Sequence, residues 1–127
     1  MGRSKTRMRA GKEAQHVRLY HWMIQSPAYL SLTPSARAVL VELCRLYNGS
    51  NNGEIGLSVR VAAERCRISK NTAARAFDDL VDRGFTTLMV RGGFSLKVRH
   101  ASLWRLNHVN CNVTGQLASK EFMRWGQ

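Results

Sequence analysis

The chain has 127 residues, with 20 Lys and Arg against 8 Asp and Glu, a formal net charge of +12 at pH 7, and 44% hydrophobic residues. This length accommodates one domain with tails, and the apolar content is sufficient for a core, which excludes wholesale disorder. The charge predicts a polyanionic partner, with nucleic acid ahead of an acidic membrane surface, and the lack of a signal core or of an apolar run of roughly 18 residues predicts a cytoplasmic protein.

The first 16 residues are predicted to form a disordered basic arm. Residues 1–12 contain no acid and little that could be buried, a composition that does not offset the entropy lost on ordering. Such an arm is suited to lie along phosphates or to enter a minor groove, and a solvated tail that aids solubility is the alternative. Its candidate contact residues are Arg3, Lys5, Arg7 and Arg9.

Residues 17–24, with the sequence VRLYHWMI, are dense in large apolar side chains and fit either a short helix or an extended segment. Pro27 is expected to end this segment, because the residue before a proline disfavours the helical conformation. The large side chains of this region either pack on the main core or contact a second subunit; they are Tyr20, Trp22, Met23 and Tyr29.

The next helix is predicted to begin at Thr33-Pro34, since Thr caps a helix and proline is favoured at the first helical position. Asn48-Gly49 is typical of a helix end, and residues 54–57 are short enough for a single strand. Between these limits apolar residues recur at helical spacing, at Ala36, Val39, Leu40, Leu43 and Tyr47.

Residues 57–85 are predicted to form two helices joined by a tight turn. Ser58 and Ser69 stand at the two helix starts, where a serine hydroxyl accepts a bond from an unpaired backbone N–H. The second helix, residues 69–83, is basic and amide-bearing at its start and acidic at its end, which suits insertion into a DNA groove by its first turn. The pattern predicts a helix-turn-helix, closed by Gly84 in the left-handed conformation. Small and apolar residues fall on one face at helical spacing, at Ala62, Ala63, Cys66, Ile68, Ala73, Ala76, Phe77 and Leu80.

Two strands are expected after the helix pair. Residues 85–90, FTTLMV, are β-branched and apolar and lead into the glycine turn at 92–93. The return strand is expected within residues 101–107, with residues 94–100 as the tip of the hairpin. The order helix, strand, helix, helix, strand, strand predicts an α+β winged helix-turn-helix, with a three-helix core plus a β-hairpin wing.

The sequence offers no motif for catalysis or metal binding. Cys44, Cys66 and Cys111 are widely spaced and form no CxxC pair, which leaves a zinc knuckle unsupported. There is no nucleophile elbow, P-loop, HExxH motif or pair of catalytic carboxylates. We therefore predict that the protein is not an enzyme and holds no metal or cofactor.

The helix-turn-helix segment resembles that of the GntR-type transcription regulators. The residues that carry the resemblance are Ser58, Arg60, Ala63, Ser69, Lys70, Thr72, Ala73, Ala76, Leu80, Gly84 and Phe85. At the turn those regulators have Gly where this chain has Arg67. A left-handed conformation there would cost a non-glycine residue about 1 kcal/mol, and a phosphate contact by Arg67 is hypothesised to offset it.

A broader likeness, to small phage- or plasmid-borne winged-helix regulators and replication-initiator-like modules, covers residues 17–107. The resemblance to GntR-type regulators covers the DNA-binding part only, so no small-molecule effector domain is expected. The predicted organisation is the basic arm at 1–16, the winged helix-turn-helix at 17–107 and a C-terminal extension of unassigned role at 108–127.

The recognition helix, residues 69–83, is expected to read bases near its start. Lys and Arg match guanine O6 and N7, Asn matches adenine N6 and N7, and an Ala methyl can touch the methyl of thymine. The candidate base-reading residues are Lys70, Asn71, Ala74 and Arg75, while Ser69 and Thr72 are better suited to phosphate contacts. The candidate contacts to the DNA backbone are Arg60, Arg65 and Arg67, and those of the wing are Arg91, Gly92, Gly93, Lys97 and Arg99.

These features predict a sequence-specific regulator of transcription, a repressor, that binds double-stranded DNA in the bacterial cytoplasm and associates with the nucleoid. A homodimer is expected, because helix-turn-helix proteins commonly bind two half-sites. One alternative is a DNA-binding module for replication initiation, excision or plasmid maintenance. An RNA-binding or adaptor protein with the same fold is a second alternative, favoured if aromatic side chains were exposed on the sheet.

Overall fold

The computed structural model of the chain describes residues 13–95 and 98–126. The predicted arm therefore lies outside the described residues, apart from its last four positions. Within the described part the helices are α1 (His21–Ile24), α2 (Pro27–Ser31), α3 (Pro34–Leu46), α4 (Val59–Cys66), α5 (Lys70–Asp82) and a 3₁₀ helix (Glu121–Arg124). The strands are β1 (Ile55–Gly56), β2 (Thr86–Val90), β3 (Gly93–Ser95), β4 (Val98–His100) and β5 (Leu103–Leu106).

Side-chain caps fix the starts of the three long helices, and all three predicted starts are confirmed. The Thr33 hydroxyl accepts from the N–H of Ala36 at 3.1 Å. The hydroxyl of Ser58 accepts from Val61 N–H at 3.1 Å, and that of Ser69 from Thr72 N–H at 3.0 Å. Each bond satisfies a backbone donor that the first turn of a helix leaves unpaired.

The region before α3 contains one helix that the sequence did not predict. The apolar segment 17–24 divides into an extended part and α1, which ends ahead of Pro27 as expected. Pro27 then begins α2, because a proline at the first helical position loses no hydrogen bond. The hydroxyl of Ser26 caps that start by accepting from Tyr29 N–H at 3.2 Å.

The turn between α4 and α5 has a left-handed backbone at Arg67. Arg67 has φ 58° and ψ 47°, and its N–H donates to the carbonyl of Ala63. Gly84 likewise is left-handed, with φ +87°, as predicted. A Cβ on Gly84 would lie 2.8 Å from the backbone N of Phe122, so the position excludes larger residues by space as well as by conformation.

Three strands form an antiparallel sheet in the order β1-β5-β2. In this register Trp104 of β5 lies opposite both Ile55 and Leu88. The predicted hairpin tip, residues 94–100, contains strand pairing that the sequence did not predict, because β3 and β4 pair as a separate two-stranded ribbon. Pairing satisfies backbone groups that a loop would leave to solvent. The three-helix core with this hairpin is an α+β winged helix-turn-helix, as predicted.

The core lies between α3, α5 and the sheet. The predicted inner face of α5 is confirmed, because Ala73, Ala76, Phe77 and Leu80 are all buried. Trp104 stacks on Phe77 with ring centroids 4.7 Å apart. Its indole N–H donates to the carbonyl of Leu57 at 2.9 Å, so the ring also joins the sheet to the start of α4. This ring is in the core and does not offer a stacking platform for RNA.

Residues after Asn107 contribute to the same core. Phe122 is fully buried and stacks on Phe85 with centroids 4.6 Å apart. On its other side it stacks on Trp22 at 5.9 Å. The large side chains before α3 thus pack mainly inward, since Met23 is fully buried and Tyr29 lies edge-on to Phe85.

A buried asparagine holds the C-terminal extension to the sheet. Asn52 is fully buried, and its side-chain amide donates to the carbonyls of Leu106 and Asn110 at 2.9 and 3.0 Å. Its backbone N–H donates to the side chain of Asn112 at 2.8 Å. Because these donors of Asn52 are all hydrogen-bonded, the buried residue fixes one arrangement of the loop that contains it.

Candidate nucleic-acid interface

The start of α5 presents the residues predicted to read bases. Lys70, Asn71 and Arg75 are exposed, while Thr72 and Ala74 are half-buried beside the inner face. The amphipathic pattern of the helix produces this division, because the residues three and four positions apart pack on α3 and α4. The tip, residues 69–75, therefore offers one amide and two cationic side chains to a partner.

The hydroxyl groups of the tip are engaged in capping. Ser69 Oγ accepts from Thr72 N–H and donates to Thr72 Oγ1 at 2.9 Å. Ser69 and Thr72 were assigned to phosphate contacts, and their first role in the free protein is to hold the helix start. A hydroxyl oxygen has two lone pairs, so capping leaves Thr72 Oγ1 able to form a further bond.

The electrostatics of α5 are asymmetric along its length. In the part of the chain that the structure describes, no ion pair involves Lys70 or Arg75. The first turn has no acid, and the partial positive charge of a helix N-terminus adds to the two cations. The tip is therefore attractive to phosphate and to the electronegative edges of bases.

The candidate contacts to the DNA backbone, on α4 and in the turn after it, differ in the ion pairs that they form within the protein. Arg60 pairs with Glu64 at 3.2 Å, an exposed pair of the kind worth about 0–1 kcal/mol. Arg65 pairs with Glu42 of α3 at 2.9 Å. Arg67 is exposed at the turn and has no ion pair among residues 13–95 and 98–126.

Glu42 contacts the candidate site, and sequence reasoning missed it. One of its carboxylate oxygens, Oε1, accepts from Arg65 Nε at 2.9 Å and from Arg45 Nε at 3.0 Å. The hydrogen bond from Arg65 is the main reason that the pKa of Glu42 lies below its usual value. The sequence feature that could have identified Glu42 is that it is the one acidic residue among the apolar residues of α3.

The wing is described in part. Arg91 is exposed, and Gly92 N–H donates to Ser102 Oγ at 2.9 Å, which ties the start of the wing to its return. Gly93 begins β3. Lys97, the Arg99 side chain and the arm residues Arg3, Lys5, Arg7 and Arg9 lie outside what the structure describes.

Two further findings bound the chemistry of the described residues. No group of three or more His, Cys, Asp or Glu side chains there is arranged to hold a metal ion. None of the helices described is long and apolar enough to cross a membrane.

Comparison with known proteins agrees with the fold. Residues 30–85 match a family model described as "Helix-turn-helix domain", a span that runs from the end of α2 through α5. No curated protein and no solved structure matches the chain. Over these residues the protein is similar to helix-turn-helix domains, which supports a DNA-binding fold.

Proposed function

We propose that this protein binds specific sequences of double-stranded DNA and represses transcription. The tip of α5 enters the major groove, and the wing contacts the backbone or the minor groove. One observation carries the proposal: Lys70, Asn71 and Arg75 are exposed together on one end of a helix whose other face is buried. Neither cation is paired with a carboxylate in the described residues.

The side chains of the tip match base edges by their donors and acceptors. Arg75 and Lys70 suit guanine, which offers two acceptors in the major groove, and Asn71 suits adenine, which offers a donor beside an acceptor. Arg67 and Arg60 are suited to phosphates, which position the protein but carry no sequence information. Arg65 can join them while one edge of its guanidinium remains on Glu42.

Repression by a homodimer is the simplest form of this activity. A bound protein that covers a promoter excludes other proteins from it, and two half-sites one helical turn apart fit a two-fold symmetric dimer. The resemblance to GntR-type regulators supports a role in transcription in the bacterial cytoplasm. The excess of 20 basic over 8 acidic residues supports fast, salt-dependent association with nucleoid DNA.

Selection from a random duplex pool, repeated at several salt concentrations, tests the proposal. The expected result is a two-fold symmetric motif. The logarithm of the binding constant should fall with the logarithm of salt concentration by roughly 0.9 for each phosphate neutralised. A motif without symmetry would contradict the dimer. Absence of any motif, or preference for a single-stranded RNA competitor at matched salt, would contradict sequence-specific binding to duplex DNA.

A further inference from the structure

A cleft lies behind the helix-turn-helix, between the extended segment that precedes α1 and the end of α3. Its volume is about 770 Å³, within the range of roughly 300–1,000 Å³ that is typical of small-molecule sites. Part of the lining comes from segment 13–20, and part comes from residues 44–49 at the end of α3 and in the following loop. Leu106, His108 and Val109 complete the lining.

His108 gives the cleft a polar group without a partner. The residue is 8% exposed, and its Nδ1 is buried with no hydrogen bond to any residue that the structure describes. Burial lowers the pKa of His108 to about 4, so the imidazole is neutral at pH 7 and one of its nitrogens can accept a hydrogen bond. A buried polar atom left unpaired is costly, and a ligand that bonds to it would remove that cost.

The rest of the lining includes buried apolar side chains and two exposed cations. Cys44 is buried, and Leu106 is fully buried. Arg18 and Arg45 also line the cleft, and the Arg45 side chain is 45% exposed while it pairs with Glu42. Glu13 shares the lining, but its side chain is 75% exposed and it lies 3.8 Å from His16.

We propose that this cleft binds a small planar aromatic anion. The ring would lie against the apolar residues, a donor group would bond to His108, and the negative charge would face Arg18 and Arg45. A flat ring suits the cleft because Tyr20, which also lines it, already lies edge-on to His108 with centroids 6.3 Å apart. The site is separate from the α5 tip and does not depend on DNA binding.

Binding of 1-anilinonaphthalene-8-sulfonate to the full chain tests the proposal, with uncharged N-phenyl-1-naphthylamine as the matched ligand. Calorimetric titration should show one saturable site for the sulfonate. Arg18→Ala and Arg45→Ala should each weaken it by about five- to tenfold, as expected for loss of a charge-assisted contact. Arg124→Ala is the control, because it removes an exposed cation that does not line the cleft. It should leave the affinity unchanged.

Nuclear magnetic resonance of the His108 ring nitrogens supplies a second measurement that locates the ligand. Their chemical shifts should move in step with saturation by the sulfonate. Unsaturable binding, equal affinity for the uncharged ligand, or an equal loss in the Arg124→Ala variant would overturn the proposal. Saturable binding that leaves the His108 nitrogens unmoved would place the ligand elsewhere and would overturn it as well.

Discussion

The two ends of α5 differ in how far their polar groups are already used. At the start, Lys70 and Arg75 are exposed without ion pairs in the described part of the chain. At the end, Arg83 pairs with Asp79 and Asp82 at 3.4 and 3.3 Å. The Arg83 guanidinium also lies 5.0 Å from the centre of the Trp125 ring. One end has donors available to a partner, and the other end is fixed within the protein.

This difference is the one that a short helix would need in order to read DNA and remain rigid, as proposed for α5. Base contacts need donors that are not satisfied in the free protein, because a donor that must first break a bond gains little on binding. The same contacts need a helix that does not shift, and the packing of Phe122 against Gly84 and Phe85 at the other end supplies this. We refer to residues 79–85 and 119–125 as the anchor.

Removal of the central aromatic ring of the anchor should have the largest effect. Phe122→Ala deletes a fully buried side chain and should lower the free energy of unfolding by about 3–5 kcal/mol, the usual cost of such a cavity. Urea denaturation followed by circular dichroism measures it. Met123→Ala, at a side chain that is 37% exposed, is the matched control and should stay within about 0.5 kcal/mol of the parent. A loss below 1 kcal/mol for Phe122→Ala would show that the extension does not support the fold.

Acid should weaken the fold without titrating the tip, since residues 69–75 contain no histidine or carboxylate. Burial lowers the pKa of His108 from its usual value of 6.5 to about 4. The unfolded chain therefore binds this proton first as pH falls, and stability present above pH 6.5 is lost progressively down to about pH 4. The loss from this one group should approach about 3 kcal/mol.

The pH dependence is checked by urea denaturation at several pH values between 7 and 4. His108→Phe replaces the titrating ring with an uncharged ring of similar shape. This variant should not show the loss of unfolding free energy that comes from protonation of His108, and it should keep the loss that comes from carboxylates. An unchanged pH profile in His108→Phe would mean that His108 is not buried in the neutral form.

At the tip, Arg75→Ala should reduce discrimination between preferred and scrambled duplexes by about 1–3 kcal/mol, the worth of a bidentate base contact. Arg91→Ala is the matched comparison, because a wing cation on phosphate should weaken binding to all sequences alike. Fluorescence anisotropy on both duplexes at fixed salt separates the two patterns. Equal losses on both duplexes in Arg75→Ala would assign Arg75 to phosphate rather than to a base.

The turn between α4 and α5 should give the smallest effect. Arg67→Gly should raise the free energy of unfolding by up to about 1 kcal/mol, because the left-handed conformation strains a side chain and the greater freedom of unfolded glycine offsets only part of the gain. The same variant should bind DNA more weakly if the guanidinium contacts phosphate. Arg67→Ala keeps the strain and removes the charge, so it should weaken binding with no gain in stability. Unchanged affinity in both variants would contradict the phosphate contact.

The sequence predicted the elements that local chemistry specifies. The caps at Thr33, Ser58 and Ser69 act within three residues of themselves, and helical periodicity alone identified the buried face of α5. Gly84 was predictable for the same reason, since a helix end in the left-handed conformation favours glycine. In these parts of the fold, residues close together in the sequence determine the structure.

Contacts between distant parts of the chain were not predictable. The side-chain bonds of Asn52 join residues 54 to 58 positions apart, and nothing near Asn52 distinguishes it from the exposed polar residues of its loop. The role of Phe122 likewise depends on Phe85 and Trp22, which lie far from it in sequence. The candidate base-reading residues could be named from the sequence, but the engagement of Arg65 by Glu42 required the packing of α3 on α4.

Amide resonances of the full chain, followed while a selected duplex is added, test the difference between the two ends of α5 most directly. The largest chemical shift changes are expected at residues 69–75 and 91–93, with small changes at residues 79–85. Changes concentrated at residues 79–85, or spread away from α5 altogether, would contradict the assignment of the free end to DNA and of the other end to the anchor.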